Sequence, residues 1–190
     1  LRESAHQYFR AAQVSLHLEA LLQAAGHAAK QHYDAHYDVI LPPLAVAAGL
    51  GEMGRNNILL VDRYGSRVRI GAVTTDLPAT LDRPRSLGAK AFCTICKKCA
   101  DNCPGRALST TEPVPVRSVE KWPTEVEKCY RYWRQVGTDC GVCMVCCPFS
   151  HQDNAMHNAV RWMVKHLSWS HRFLVWCDDR IYGRKWRSRG

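Results

Sequence analysis

Cys93-Thr94-Ile95-Cys96-Lys97-Lys98-Cys99-Ala100-Asp101-Asn102-Cys103-Pro104 is the stretch that decides how this chain folds. Its cysteines are spaced C-x2-C-x2-C-x3-C-P. A second run follows, Cys140-Gly141-Val142-Cys143-Met144-Val145-Cys146-Cys147-Pro148, and Cys129 stands alone between the two. Ten of the 190 residues are cysteine, and all but Cys177 lie between Cys93 and Cys147. That density excludes a plain apolar core for this part of the chain.

The first run has the spacing of bacterial ferredoxin loops, which hold [4Fe–4S] clusters. A cubane takes three thiolates from one tight loop, and two-residue gaps let the backbone wrap around it. The fourth cysteine reaches across to a second cluster, and the proline after it turns the chain away. The second run has two readings. If Cys140, Cys143 and Cys146 share one cluster, Cys147 must serve the other from the adjacent position, which is sterically awkward. The favoured reading uses Cys147 before Pro148, recruits Cys129 from upstream and leaves Cys146 spare. Cluster one then takes Cys93, Cys96, Cys99 and Cys147, and cluster two takes Cys103, Cys129, Cys140 and Cys143. Disulfides need an oxidising compartment and do not account for this spacing. Structural zinc explains paired C-x2-C elements but not two runs ending in Cys-Pro. Cys177 reads as a buried thiol.

Charged residues make up 23% and hydrophobic residues 46%, a balance that excludes a disordered or collagen-like chain. No run of 18 apolar residues offers a membrane span. The net charge of +9 suggests an anionic partner. Two thiolate-bound clusters lower it to about +5. Part of the remainder sits in the tail Arg184–Arg189, read as a solvated basic end. The chain opens on Leu1 with no charged and apolar leader pattern. The expectation is that a leader or larger N-terminal part precedes it, or that it is a processed piece.

Outside the cysteine region, residues 3–30 read as a helix, with Phe9, Val14, Leu16, Leu18, Leu21 and Leu22 at near-helical spacing and Gly26 near its end. His32 to Asp38 reads as a loop. His32 and His36 have a helical i,i+4 metal-ligand spacing, but the segment is not convincingly helical and a surface or pocket-lining role is expected. Pro42-Pro43 opens a short helix, Leu44–Ala48. Ile58–Val61 and Val68–Thr74 read as strands of one hairpin around Asp62–Ser66. Asp76–Gly88 reads as a linker. Asn154–Trp176 reads as a single helix with the stripe Met156, Ala159, Val160, Met163, Val164 and Leu167. Trp162, Trp169 and Trp176 are expected to pack in the core.

Gly49-Leu50-Gly51-Glu52-Met53-Gly54 matches the dinucleotide pattern G-x-G-x-x-G. That pattern needs a strand before it and a helix after it, and here the order is reversed. A nicotinamide or flavin site is therefore not expected. The same residues carry another resemblance. Pro43–Arg55, Tyr64–Arg69, Thr74–Pro78, the two cysteine runs, Asp178–Gly183 and Trp186 resemble the C-terminal part of the corrinoid-dependent reductive dehalogenases. The related epoxyqueuosine reductases of tRNA modification share the Gly-Leu-Gly element and two ferredoxin runs. They usually continue with Trp and then Gly-Lys, where this chain has Glu52-Met53-Gly54-Arg55.

The resemblance implies an α/β (α+β) fold in three parts. Residues 1–88 would form a partial nitroreductase-like, corrinoid-binding core. Residues 89–150 would form a ferredoxin-like two-cluster module, and residues 151–190 a C-terminal helix and tail packing back. It implies two [4Fe–4S] clusters, a cobalamin-type corrinoid, and cofactor-binding positions at Gly49, Gly51 and Arg55. It implies that Tyr8 is the proton donor and that an arginine lowers that tyrosine's pKa and stabilises its anion. Arg69 is preferred over Arg67, although strand alternation places both on one face. Electrons would enter at the more exposed cluster, pass to the inner one and reduce cobalt. Halide would then leave an organohalide, and Tyr8 would protonate the carbon. The implied partners are a reduced donor (ferredoxin, flavodoxin or quinol-linked) and a small membrane anchor or second chain completing the corrinoid pocket. No nucleic-acid partner is expected, and the location is peripheral at the cell membrane or cytoplasmic. The alternatives are an epoxyqueuosine-type reductase and an iron–sulfur electron-transfer subunit.

Overall fold

The computed structural model describes residues 2–116 and 119–186. In chain order the elements are α1 (Arg2–Ala24), β1 (Ala29–His32), α2 (Leu41–Ala47), β2 (Gly51–Met53), β3 (Leu59–Val61), β4 (Ala72–Thr75), α3 (Ala89–Cys96) and α4 (Lys98–Asp101). They continue with β5 (Val114–Val116), β6 (Val119–Lys121), α5 (Val126–Val136), α6 (Val142–Val145), α7 (Ala155–His166) and α8 (His171–Tyr182). The strands form three separate antiparallel pairs, β1–β4, β2–β3 and β5–β6. Helices and strands are therefore mixed, and among the described residues no parallel, wound sheet forms.

The strand pairing differs from the hairpin expected between Ile58–Val61 and Val68–Thr74. Val61 and Gly65 exchange backbone hydrogen bonds at 2.9 and 3.0 Å, closing the turn on itself. The chain leaves that turn irregular, and β3 pairs instead with β2, which is the dinucleotide-like Gly51–Met53. β4 reaches back to β1, placing His32 opposite Ala72. His32 is buried in a strand, with Nε2 3.0 Å from Thr74 Oγ1 and Nδ1 accepting from the Asp38 backbone N–H. His36 stacks on Tyr33 across a turn. The two histidines do not share a helical face.

α1 forms but is shorter than the expected 3–30: it stops at Ala24, before Gly26 at φ 90°, and Ala29 and Lys30 belong to β1. Its packing differs from the expected amphipathic pattern. Ser15 is its one buried residue, with Oγ donating to Ala11 O. A Cβ on Gly71 would lie 2.2 Å from Ser15 Oγ and 3.2 Å from Ala11 O. The small Ala11–Ser15 face thus seats the helix close against the segment leading into β4. Phe9, Val14, Leu16, Leu18 and Leu21 remain exposed.

The single helix expected over Asn154–Trp176 is broken into α7 and α8. Asn154 caps α7 by accepting from the His157 N–H. Leu167 leaves helical geometry (φ −127°, ψ 71°), and His171 Nε2 turns back to Val164 O at 2.9 Å. Within the expected stripe, Val164 is buried and Val160 and Met163 flank the core, whereas Met156 is exposed. Trp162, Trp169 and Trp176 are 57%, 79% and 55% exposed, so they do not pack in the core. Because the break rotates α8 relative to α7, a seven-residue spacing no longer marks one face.

One apolar core joins Leu60, Leu87, Phe92, Trp122, Phe149, Val164, Leu174 and Val175 with Cys93, Cys96 and Cys147. Phe92 meets Phe149 and His171 edge-on, each at 5.5 Å between ring centres. The cysteine loops are therefore anchored from residues on either side of them. The basic tail also differs from a solvated end. Arg184 pairs with Asp101 and Asp179, and the Trp186 N–H donates to Asn102 Oδ1. Residues 187–190 lie outside the described residues.

Candidate iron–sulfur and proton-transfer sites

The first cysteine run folds into α3 and α4 because Lys97 between them adopts a left-handed conformation (φ 54°). That turn directs Cys93, Cys96 and Cys99 toward one space. Glu52 fixes the start of α3, its carboxylate accepting from the Ala89 N–H at 2.7 Å and from Ser86 Oγ at 3.0 Å. In the second run, Gly141 (φ 63°) turns the chain into α6, and Pro148 opens a short 3-10 turn immediately after Cys147.

Cys93, Cys96, Cys99 and Cys147 line one small cavity, together with Arg55, Phe92, Lys97, Pro148 and Phe149. Burial, reinforced by neighbouring thiols, pushes Cys96 up to about 12 and holds Cys99 and Cys147 well above the ordinary thiol range. Burial pushes Cys93 up to about 11, against hydrogen bonding from the Arg55 backbone and the Arg55 charge. The Lys98 and Phe149 backbone groups act in the same sense on Cys96 and Cys147.

Cys103, Cys129, Cys140 and Cys143 form a second neighbourhood. Burial raises Cys129, followed by the charges of Cys103 and Cys140. Cys143 is pushed up to about 12 by burial and then by Cys146, Cys103, Cys140 and Cys129. The Ala107 N–H donates to Cys103 Sγ at 3.2 Å. All four are partly exposed, whereas Cys93, Cys96 and Cys147 of the first group are buried. Cys146 is also buried, 3.9 Å from Lys98 O, and touches both neighbourhoods electrostatically. Among the described residues, no three His, Cys, Asp or Glu side chains converge on a single metal-ion position.

The donor set fits iron–sulfur clusters. Two groups of thiols gather from α3, α4, α5, α6 and the turns between them, sulfur-directed backbone N–H groups face them, and one group surrounds a cavity. Buried thiols with such raised pKa values become thiolates when a metal replaces their protons.

Tyr8 on α1 and Arg69 come together although they are far apart in sequence. The Arg69 guanidinium carbon lies 4.2 Å from the Tyr8 ring centre. Arg69 Nη2 donates to Ser4 Oγ at 2.8 Å and Nη1 to Val68 O at 3.2 Å. Arg67 points elsewhere, donating to His151 O. An open groove of about 280 Å³ runs beside this pair, lined by Gln7, Arg10, Val14, Leu18, Arg69 and Val73 among others. A corrinoid is bulkier than the ligands that fill ordinary clefts of about 300–1,000 Å³. The described residues can therefore supply a wall for such a group but do not enclose it.

Gly49 and Gly51 are pressed against backbone. A Cβ would lie 2.4 Å from Arg83 O at Gly49 and 2.0 Å from Leu60 O at Gly51. Close packing thus accounts for both glycines. Arg55 on the same segment is 1% exposed and faces the first cysteine cavity.

Sequence reasoning missed a polar network beside the cysteine loops. The buried Lys98 ammonium pairs with Asp178 and lies 3.5 Å from Asp179. His151 Nε2 is 2.6 Å from Asp178 Oδ1, and its ring stacks on Tyr182 at 4.0 Å. Tyr182 Oη is in turn 2.7 Å from His157 Nε2. The adjacent acids Asp178-Asp179 were a visible signal, but their buried lysine partner 80 residues away was not.

No family model matches the chain. Its fold is that shared by reductive dehalogenases and epoxyqueuosine reductases. An epoxyqueuosine reductase bound to a tRNA stem loop superposes with a TM-score of 0.58 at 20% identity, over 80% of this chain and 42% of that one. Within that group the chain is a homologue of the reductive dehalogenases. It is 38% identical over 130 residues to a tetrachloroethene reductive dehalogenase of Desulfitobacterium hafniense, covering 63% of this chain and 24% of the relative. The catabolic reductive dehalogenase NpRdhA superposes with a TM-score of 0.90 at 32% identity, over 96% of this chain and 27% of that one. NpRdhA has also been solved with 3-bromo-4-hydroxybenzoic acid. Another such structure, also at 0.90 and 32%, suggests a mechanism for B12-dependent dehalogenation. The chain thus spans about a quarter of the length of these relatives. No described helix is long and apolar enough to cross a membrane.

Proposed function

We propose that this chain is the electron-delivering and proton-donating part of a reductive dehalogenase. The observation that carries the reading is the division of the thiols into two neighbourhoods that interleave both cysteine runs. Cys93, Cys96, Cys99 and Cys147 would hold one [4Fe–4S] cluster, and Cys103, Cys129, Cys140 and Cys143 the other. Because the second group is the more exposed, an external reduced donor delivers electrons there, and the buried group receives them next. Cys147 and Cys103 cross between the loops, which keeps the two clusters close.

When bound, a cobalamin-type corrinoid supplies the reduced metal that takes electrons to the carbon–halogen bond. This chain's own residues then handle charge and the proton. Tyr8 donates the proton from its phenolic oxygen to the carbon losing halide. The Arg69 guanidinium, held over the ring and tied to Ser4, steadies the resulting phenolate. Gly49 and Gly51 permit the tight backbone packing that carries Arg55 to the first cluster cavity. The substrate is an organohalide small molecule. The rest of the corrinoid enclosure comes from outside the described residues.

The test is halide release from an organohalide with a reduced viologen as donor, alongside the visible spectrum of the purified holoprotein. A corrinoid spectrum with halide release is expected. A protein with full iron and a spectrum showing clusters alone would make it an electron carrier instead.

A further inference from the structure

Arg55 is the most deeply buried guanidinium among the described residues, at 1% exposure. Its hydrogen bonds all go to neutral carbonyls. Nε donates to Cys93 O at 3.0 Å, and Nη1 donates to Ser109 O at 2.8 Å and Thr111 O at 2.9 Å. Nη2 is buried with no partner. The guanidinium carbon lies 4.9 Å from the centre of the Trp122 ring. Among the described residues no carboxylate forms an ion pair with it.

An arginine stays charged under all ordinary conditions. A buried charge without a counter-charge is strongly unfavourable. Carbonyls and a ring face ease that burden without neutralising it. Yet Arg55 lines the same cavity as Cys93, Cys96, Cys99 and Cys147. The missing anion belongs in that cavity.

We infer that Arg55 is the built-in counter-ion of the cluster held by Cys93, Cys96, Cys99 and Cys147, and that its charge favours the one-electron-reduced form. The inference rests on the cluster assignment proposed above. Reduction adds one electron from the external donor and so one negative charge to an already anionic centre. A fixed cation lining the same buried cavity stabilises the more negative state more. Arg55 exchanges no proton and touches no substrate. It is a positioning residue that sets how easily the inner cluster is filled.

The test is a reductive titration of the iron-loaded protein, followed by electron paramagnetic resonance and paired with an iron count. In Arg55→Gln, one cluster is expected to be at least tenfold less reduced at fixed potential, a shift of about 59 mV for a one-electron couple. The other cluster should stay within threefold. Arg55→Lys, which keeps the charge, should stay within threefold at both. Should Arg55→Gln lose iron, Thr111→Asp decides. It keeps Arg55 and sets a carboxylate beside it at an exposed position, and the same cluster should become at least twofold harder to reduce. Unmoved potentials, equal movement of both clusters, or an Arg55→Lys shift as large as that of Arg55→Gln would overturn the role. Wild-type protein that holds no clusters under anaerobic reconstitution would instead sink the cluster assignment itself.

Discussion

The guanidinium of Arg69 lies over the ring of Tyr8, 4.2 Å from its centre, and joins the first helix to the segment that leads into β4. The contact separates two arginines that strand alternation could not. Arg67 donates to His151 O, on the far side of the choice. Replacing Tyr8 by Phe keeps the ring under the cation and removes only the phenolic hydroxyl that carries the proton. Turnover in Tyr8→Phe is expected to fall by about 100-fold or more, the scale of a lost general acid. Iron content and unfolding midpoint should match the parent, and undiminished halide release would reject the proton-donor role.

Arg69 and Arg67 should behave differently. Arg69→Gln removes the charge above Tyr8 and is expected to lower turnover by about tenfold or more. Arg67→Gln loses one exposed hydrogen bond and should leave turnover within twofold. Steady-state halide release from the two variants checks this, and equal losses would contradict the pairing.

The carboxylate of Asp178 carries a separate prediction. Burial alone would raise its pKa, but hydrogen bonds from His151 and Lys98 and the Lys98 charge outweigh burial and hold it below the ordinary value. Asp178→Asn leaves the Lys98 ammonium buried with only Asp179 nearby. The expected cost is about 3 kcal/mol in urea unfolding. A depressed native pKa means this stability is present above about pH 4 and is lost as pH falls through the native value. The gap between parent and variant should therefore stay flat from pH 8 to pH 5 and close only at lower pH.

The metal-free protein should be sensitive to alkali. Burial raises Cys93 to about 11 and Cys96 to about 12. Between the ordinary thiol value and these, the unfolded chain binds fewer protons than the folded one, so stability falls as pH rises. Unfolding midpoints of chelator-stripped protein should drop from pH 8 to pH 10. Iron-loaded protein, whose sulfurs have already lost their protons, should drop far less.

The sequence reading was strongest where the chemistry is local. C-x2-C and Cys-Pro spacings describe loops only a few residues long, so the grouping of Cys93, Cys96 and Cys99 was legible. So were most of α1, the Pro42-Pro43 helix start and a helix beginning at Asn154. The pairing of β3 with β2 was not, because Val61 and Gly65 close their turn through backbone bonds that many side chains allow. The break at Leu167 was equally hidden, and it turned an expected core stripe of tryptophans into exposed rings. α1 misled for another reason. Its apolar residues are conspicuous, but Ala11 and Ser15 make the close contact with Gly71. The burial of Arg55 depends on carbonyls more than 50 residues away, which no periodicity reports.

The arrangement of the thiols is tested most directly by counting iron in two neighbouring variants. Anaerobically reconstituted parent should hold about eight irons per chain. Cys146→Ala should keep about eight, whereas Cys147→Ala should fall to about four, with the loss confined to one cluster. The reverse pattern, or full iron in both variants, would contradict the assignment of Cys147 to the buried cluster and the electron route built on it.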